Sequence, residues 1–273
     1  MSALSDAKQT KSAVREYFDA DADGYLSAYT GTGPDEVRTT VFLERRELVM
    51  RMTPPRPGRV LDVGAGPGVF TRQLLERGAS CAVVDVSLQM IAAARRQFPD
   101  ALDAKFIVGD VDRLPFADGA FDVALCVGVL QYLSSPLLAI RELARVVSPG
   151  GRVVVTFPNE RSPLNRLHSH TIRAVRRAAW LMKGRGAHGV SRSRLTFRED
   201  IPNRFLGAAE VESLAREAGL TTDEIVYHLL QFPFSIPGLG RAMAVWNRRV
   251  RGRFPRGRFA HWGREGIVRF TRT

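Results

Sequence analysis

The chain has 273 residues, 45% of them hydrophobic, enough for one large α/β domain with a full core and insertions. No apolar run reaches the roughly 18 residues of a membrane span, and the polar opening Met1 to Lys11 has no apolar signal segment, so a cytoplasmic protein is expected. The net charge of +12 is unevenly placed, −1 over residues 1–158 and +13 over residues 159–273, which points to an anionic partner for the second half: a membrane surface, an acidic substrate or nucleic acid.

In chain order, Met1 to Gln9 reads as a frayed end. Ser12 to Tyr29 reads as a helix with Val14, Tyr17 and Phe18 on one face, and Glu36 to Met52 as a second, with Val37, Val41, Leu48 and Met52. Pro54, Pro55, Pro57 and Gly58 stop it. Val60 to Val63 is a short buried strand, followed by Gly64, Gly66 and Gly68 and a helix from Val69 to Arg77 with Gly78 as its stop. Further strands are read at Cys81 to Asp85, Lys105 to Gly109, Phe121 to Val127 and Arg152 to Phe157. This alternation argues for a parallel, doubly wound sheet. After Phe157 it breaks. Asn159 to Asn203 is an insertion with a basic helical stretch, Leu164 to Lys183. A helix from Gly207 to Ala218, a strand from Glu224 to Leu230, a second insertion from Gln231 to Gly263 and a last strand, Gly266 to Phe270, complete the chain. The division is residues 1–53 as an N-terminal helical cap, 54–158 as a binding core, and 159–273 as insertions plus the final helix and strands of the same domain. Cys81 and Cys126, the two cysteines, sit in apolar strands and read as buried thiols. No zinc-ligand spacing occurs, and no metal is expected.

The glycine turn carries the strongest signal. A strand, a tight glycine turn and a helix N-terminus form a nucleotide cradle. The spacing is G-x-G-x-G rather than the dinucleotide G-x-G-x-x-G, which fits a nicotinamide dehydrogenase poorly. Asp85 ends the second strand 21 residues after Gly64, where a carboxylate reaches ribose hydroxyls. The ordered series Val60 to Gly68, Val83 to Ser87, Gly109 to Phe116, Phe121 to Leu133 and Ala144 to Phe157 resembles the class I S-adenosylmethionine-dependent methyltransferases of small-molecule type. The resemblance covers roughly Val14 to Pro158 and the chain end. It implies an α/β, Rossmann-like, doubly wound seven-stranded sheet whose last strand is antiparallel, with helical insertions after strand five and between strands six and seven.

It also implies S-adenosyl-L-methionine as cofactor. Backbone N–H groups around Gly64, Ala65, Gly66 and Gly68 would meet its amino-acid end, with the positive end of the next helix behind them. Asp62 would help to hold that end; tying down the glycine turn is the alternative. Asp85, next to Val86, would hold the ribose, with a helix cap beside Ser87 as the alternative. Asp110 would accept the adenine amino group and Val111 offer its N–H to the ring, against a solvated turn acid. Val127, Gly128 and Gln131 follow the fourth strand at the ligand-binding edge. Tyr17 and Tyr25 would close over the cofactor, or pack on the sheet.

Methyl transfer needs alignment of nucleophile, methyl and sulfur more than a strong catalytic residue, although an oxygen nucleophile benefits from a base. The candidates are His168, His170, His188, His228 and His261; His168 and His170 follow the fifth strand most closely and rank first. The expected acceptor is a small molecule, with an oxygen nucleophile on a lipophilic, lipid-linked or glycan-related metabolite. Segments 166–183 and 232–258 set apolar and aromatic residues beside arginines, the pattern of a peripheral contact with an anionic membrane, or of a lid with a basic face. An RNA methyltransferase is the second reading, and no N-P-P-[YF], catalytic-cysteine or RNA-binding module supports it. A non-catalytic scaffold is the third, opposed by the intact glycine and aspartate set.

Overall fold

The computed structural model describes residues 2–30, 36–167, 201, 204–230 and 257–273, with positions 242, 245, 246, 249 and 250 between them. Three helices open the chain: α1 (Ser2–Asp19), α2 (Ala22–Thr30) and α3 (Glu36–Met52). The reading of one helix over Ser12 to Tyr29 behind a frayed end is corrected. The helix begins at Ser2 and breaks after Asp19, where Asp19, Asp21 and Asp23 favour local bonds over a continued helix.

The core alternates β1 (Arg59–Val63), α4 (Val69–Glu76), β2 (Ser80–Asp85), α5 (Leu88–Gln97), β3 (Ala104–Val108), β4 (Phe121–Cys126), α6 (Pro136–Val146) and β5 (Val147–Pro158). Then follow α7 (Ala208–Glu217), β6 (Leu220–His228) and β7 (Glu265–Arg272). The sheet has seven strands in the order β3-β2-β1-β4-β5-β7-β6. β1 to β5 pair in parallel, and β7 runs antiparallel to both of its neighbours. This is the architecture expected from the sequence. Residues 163–167 are helical at the start of the first insertion; the rest of that insertion to 200, and most of the second, lie outside the described residues.

The pleat sends successive side chains to opposite faces. Leu61, Val63, Ala82 and Val84 pack with Ile140 and Leu143 of α6 and Val211 of α7. Val60, Cys81 and Val83 pack on the other face with Leu48 and Met52 of α3 and Leu74 of α4. Burial on both faces explains the continuous apolar runs. β5 starts earlier than the expected Arg152 because its register against β4 shifts between the Phe121–Val147 and Val123–Arg152 pairs. Ser148 to Gly151 form that bulge, and a Cβ on Gly151 would lie 2.8 Å from the Asp122 carbonyl oxygen. β6 likewise starts at Leu220, not Glu224; it is the sheet's outer strand, and its polar Thr221, Thr222 and Asp223 hide the strand from an apolar pattern.

Candidate active site

A cavity of 220 Å³ opens at the C-terminal edge of the parallel strands. Gly64, Ala65, Gly66, Asp85, Val86, Asp110, Val111, Val127, Gly128, Gln131 and Tyr25, all expected site residues, line it. Asp62, Gly68 and Tyr17 are not in its wall. Asp62 faces the α4 side of the sheet, where its Oδ2 accepts a hydrogen bond from the Thr71 hydroxyl at 3.2 Å. Gly68 serves packing: a Cβ there would lie 3.0 Å from the Phe98 ring. Tyr17 packs edge-on to Phe18, with ring centroids 5.2 Å apart, and Phe18 reaches the cavity in its place.

The glycine turn is folded by its own amides. Gly64 N and Ala65 N donate to the Val84 carbonyl at 2.8 and 3.1 Å, and Gly68 N to the Ala65 carbonyl at 3.1 Å. Gly66 N donates to Asp85 Oδ2 at 2.9 Å. The amides of Gly64, Ala65, Gly66 and Gly68 are thus all engaged within the fold. Gly64 itself is needed, with φ +63° and a would-be Cβ 2.2 Å from a Val129 methyl. The α4 N-terminus has no side-chain cap, so its positive end faces the turn.

Asp85 Oδ1 accepts the Ser87 amide at 2.8 Å, and Ser87, not Asp85, caps α5 by accepting from Met90 N at 3.0 Å. Each Asp85 oxygen thus holds one backbone donor and keeps a second lone pair for a hydroxyl. Burial pushes this carboxyl up to about 6, against the pull of the Ser87 and Gly66 amides. Burial likewise pushes Asp62 up to about 7, countered by Thr71 and reinforced by the Asp85 charge. Asp62 Oδ1 and Gln131 Oε1 are buried without a hydrogen-bond partner. Asp110 Oδ1 accepts the Asp112 amide at 3.0 Å, and its Oδ2 lies 2.5 Å from Lys11 Nζ, which also reaches Asp112 Oδ2 at 2.6 Å. Lys11, Val14 and Phe18 bring α1 across the cavity.

Sequence reasoning missed the opposite wall. Tyr29 stacks on Phe42 with centroids 4.3 Å apart, and Arg45 of α3 lies over Phe42. All three line the cavity. The helix Glu36 to Met52 was read only by its apolar Val37, Val41, Leu48 and Met52, which singles out no charged residue on it. Among the candidate bases, His228 is fully buried at the end of β6 and His261 is exposed; neither is in the cavity wall. His168, His170 and His188 lie outside the described residues. Among the described residues no cluster of His, Cys, Asp and Glu has the arrangement of a metal site.

The cavity suits an adenosyl group joined to an amino acid. One wall holds two carboxylates at the ends of adjacent strands, and the turn between β1 and α4 admits close backbone approach. Residues 61–155 match the family described as a methyltransferase domain. The chain is 33% identical over 204 residues to malonyl-[acyl-carrier protein] O-methyltransferase of Halorhodospira halophila, covering 73% of this chain and 61% of that protein. It is 42% identical over 101 residues to demethylmenaquinone methyltransferase of Beutenbergia cavernae, covering 37% and 41%. Among solved structures, magnesium protoporphyrin IX methyltransferase from Synechocystis, with bound S-adenosylhomocysteine, superposes with a TM-score of 0.63 at 14% identity, covering 96% of this chain and all of that one. Residues 61–155 thus match a methyltransferase-domain family, and the seven-stranded sheet has the Rossmann-like order of the methyltransferase fold. The chain spans between 27% and 61% of the length of the curated relatives named here and of a bifunctional biotin-biosynthesis protein of Cellvibrio japonicus.

Proposed function

We propose that the protein binds S-adenosyl-L-methionine in this cavity and transfers its methyl group to a small-molecule acceptor, an oxygen nucleophile on a lipophilic, lipid-linked or glycan-related metabolite. The observation that carries the reading is the convergence of Asp85, Asp110, the glycine turn and Gln131 on one cavity whose other wall is aromatic: Phe18, Tyr25, Tyr29, Phe42 and Tyr132. The cofactor supplies a methyl group already activated on a sulfonium, so the protein's task is alignment and exclusion of water. In this arrangement Asp85 receives the ribose hydroxyls. Asp110 receives the adenine amino group, sharing its Oδ2 with Lys11, and Val111 borders the ring. Gln131 Oε1, buried and unpartnered, accepts a donor from the bound pair. The aromatic wall favours a lipophilic acceptor, in keeping with a relative whose name gives demethylmenaquinone as its substrate.

Thermal unfolding with S-adenosylhomocysteine, and with NAD as control, tests the cofactor. Ligand at 100 times its Kd stabilises by roughly 2.7 kcal/mol, a shift of several degrees. A shift with the adenosyl ligand alone supports the reading; none with either favours a scaffold. No His lines the cavity among the described residues, so the base, if the acceptor needs one, is assigned to His168 or His170. Alanine variants of both that keep turnover remove that assignment. Segments 166–183 and 232–258 are proposed to rest on an anionic membrane. No described helix is long and apolar enough to cross one. Co-sedimentation with phosphatidylglycerol vesicles, and not with phosphatidylcholine vesicles, is the expected result.

A further inference from the structure

Because the turn amides are spent on the fold, a carboxylate entering the cavity needs another donor. Arg45 is placed to be it. Its Nε donates to Glu265 Oε2 at 2.9 Å, and its Nη1 makes a long 3.5 Å contact to the Tyr29 hydroxyl. A guanidinium carries five N–H donors; among the described residues, both Nη2 hydrogens of Arg45 have no protein partner. The side chain is 13% exposed, and the surface it keeps is in the cavity wall. Opposite it, Gly128 has no side chain to cover the guanidinium: a Cβ there would sit 3.5 Å from Nη1.

What lies behind Arg45 is built as a support. Glu265 opens β7 and is paired in register with Pro158 of β5 and His228 of β6, so three strand ends fix its position. Its Oε2 also lies 2.9 Å from His228 Nε2, a charge contact whose angle falls short of an aligned hydrogen bond. His228 Nδ1 faces Glu44 Oε2 at 4.0 Å. All of these side chains are buried. A buried guanidinium with one edge clamped by a carboxylate and the other toward a cavity is suited to a second carboxylate, bound through the planar fork.

We propose that Arg45 is the carboxylate ligand of the cavity and that Glu265 and His228 are positioning residues that aim it. The inference rests on the cavity being the cofactor and acceptor site. The carboxylate has two possible sources, the amino-acid end of the cofactor and a carboxylate on the acceptor, and the test separates them.

The probes are S-adenosylhomocysteine; 5′-methylthioadenosine, which keeps the adenosyl thioether and lacks the amino acid; and octanoate, a lipophilic carboxylate. Each is titrated calorimetrically into the whole chain as wild type, Arg45→Met, Arg45→Lys, Glu265→Gln and His228→Gln, with folding checked by thermal unfolding. If the cofactor supplies the carboxylate, Arg45→Met loses S-adenosylhomocysteine affinity by roughly tenfold or more while 5′-methylthioadenosine is unchanged. If the acceptor supplies it, both adenosyl ligands are unchanged and octanoate, bound by wild type with or without S-adenosylhomocysteine, no longer binds Arg45→Met. Arg45→Lys retains part of the affinity in either case, and it carries the comparison if Arg45→Met fails to fold. Glu265→Gln and His228→Gln weaken the same ligand by a smaller factor and leave 5′-methylthioadenosine alone, which a general loss of structure would not do. A folded Arg45→Met with all three affinities unchanged overturns the proposal. Absence of 5′-methylthioadenosine binding to wild type overturns the cofactor reading instead, and the octanoate comparison then decides Arg45 by itself.

Discussion

Asp85 and Gly66, 19 residues apart, are joined by a 2.9 Å hydrogen bond from the glycine amide to the carboxylate. The acid that ends β2 thereby braces the turn that ends β1, and the same carboxylate faces the cavity. Ligand binding and turn geometry share one side chain.

Replacing it tests both roles. Asp85→Ala is expected to weaken S-adenosylhomocysteine binding by roughly tenfold or more, since charge-assisted hydrogen bonds to a ribose are lost. The fold should survive, because removing a buried charge offsets the two amides left without their acceptor. Calorimetric titration together with a melting curve checks it; unchanged affinity removes the ribose assignment.

Binding should also depend on pH. Asp85 titrates at about 6 in the folded protein, and hydroxyl donors favour its ionised form. Affinity for S-adenosylhomocysteine is therefore expected to be full above pH 7 and to fall as pH drops through 6, with a proton released on binding near pH 6. Titrations at pH 5 and pH 7.5, in buffers of different ionisation enthalpy, measure both effects.

Asp62 gives a stability prediction with a definite sign. Its pKa is raised from 3.8 to about 7 by burial, so the folded state holds the proton more tightly than the unfolded one. Its ionisation then costs stability increasingly as pH rises from about 4 to about 7 and by a constant amount above that. Asp62→Asn mimics the protonated form. Its stability relative to wild type should rise between pH 5 and pH 8 by an amount on the order of a few kcal/mol. Denaturant unfolding at the two pH values checks it, and a flat difference would contradict the burial argument.

Gly128→Ala probes the opening beside Arg45. With φ +72° and a Cβ 3.5 Å from the guanidinium, the variant should lose about 1 kcal/mol of stability from backbone strain. It should bind carboxylate-bearing ligands more weakly than wild type, while 5′-methylthioadenosine is unaffected.

Much of this was legible in the chain. The strands of the parallel core are apolar on both faces, so they appear as uninterrupted runs, and the acids at their ends stand out because a carboxylate terminating such a run needs a partner. Asp85 and Asp110 were reached in this way, and Gln131 from its place just past the fourth strand. Arg45 was not. Its partner Glu265 is 220 residues away, and a charged run on a helix carries no mark that says whether it meets water or another buried charge. His228 suffered the reverse error: grouped with scattered basic-region histidines, it proves to be buried in a sheet. The use of the turn amides was illegible for a further reason, since hydrogen bonds between backbone groups leave no trace in residue identity.

The first helix has a consequence of its own. Lys11 fastens α1 to Asp110 and Asp112 at one side of the cavity, and Asp19 fastens it at the other, accepting from the Ser87 hydroxyl at 2.5 Å and the Gln89 amide at 3.2 Å. The segment is a strap with two buckles, both polar, and the Lys11 buckle is about one-third exposed at Lys11 and Asp110. Charge pairs of that kind loosen as salt is added. Added salt is then expected to loosen α1 at the cavity rim, with no change in the groups on the far wall.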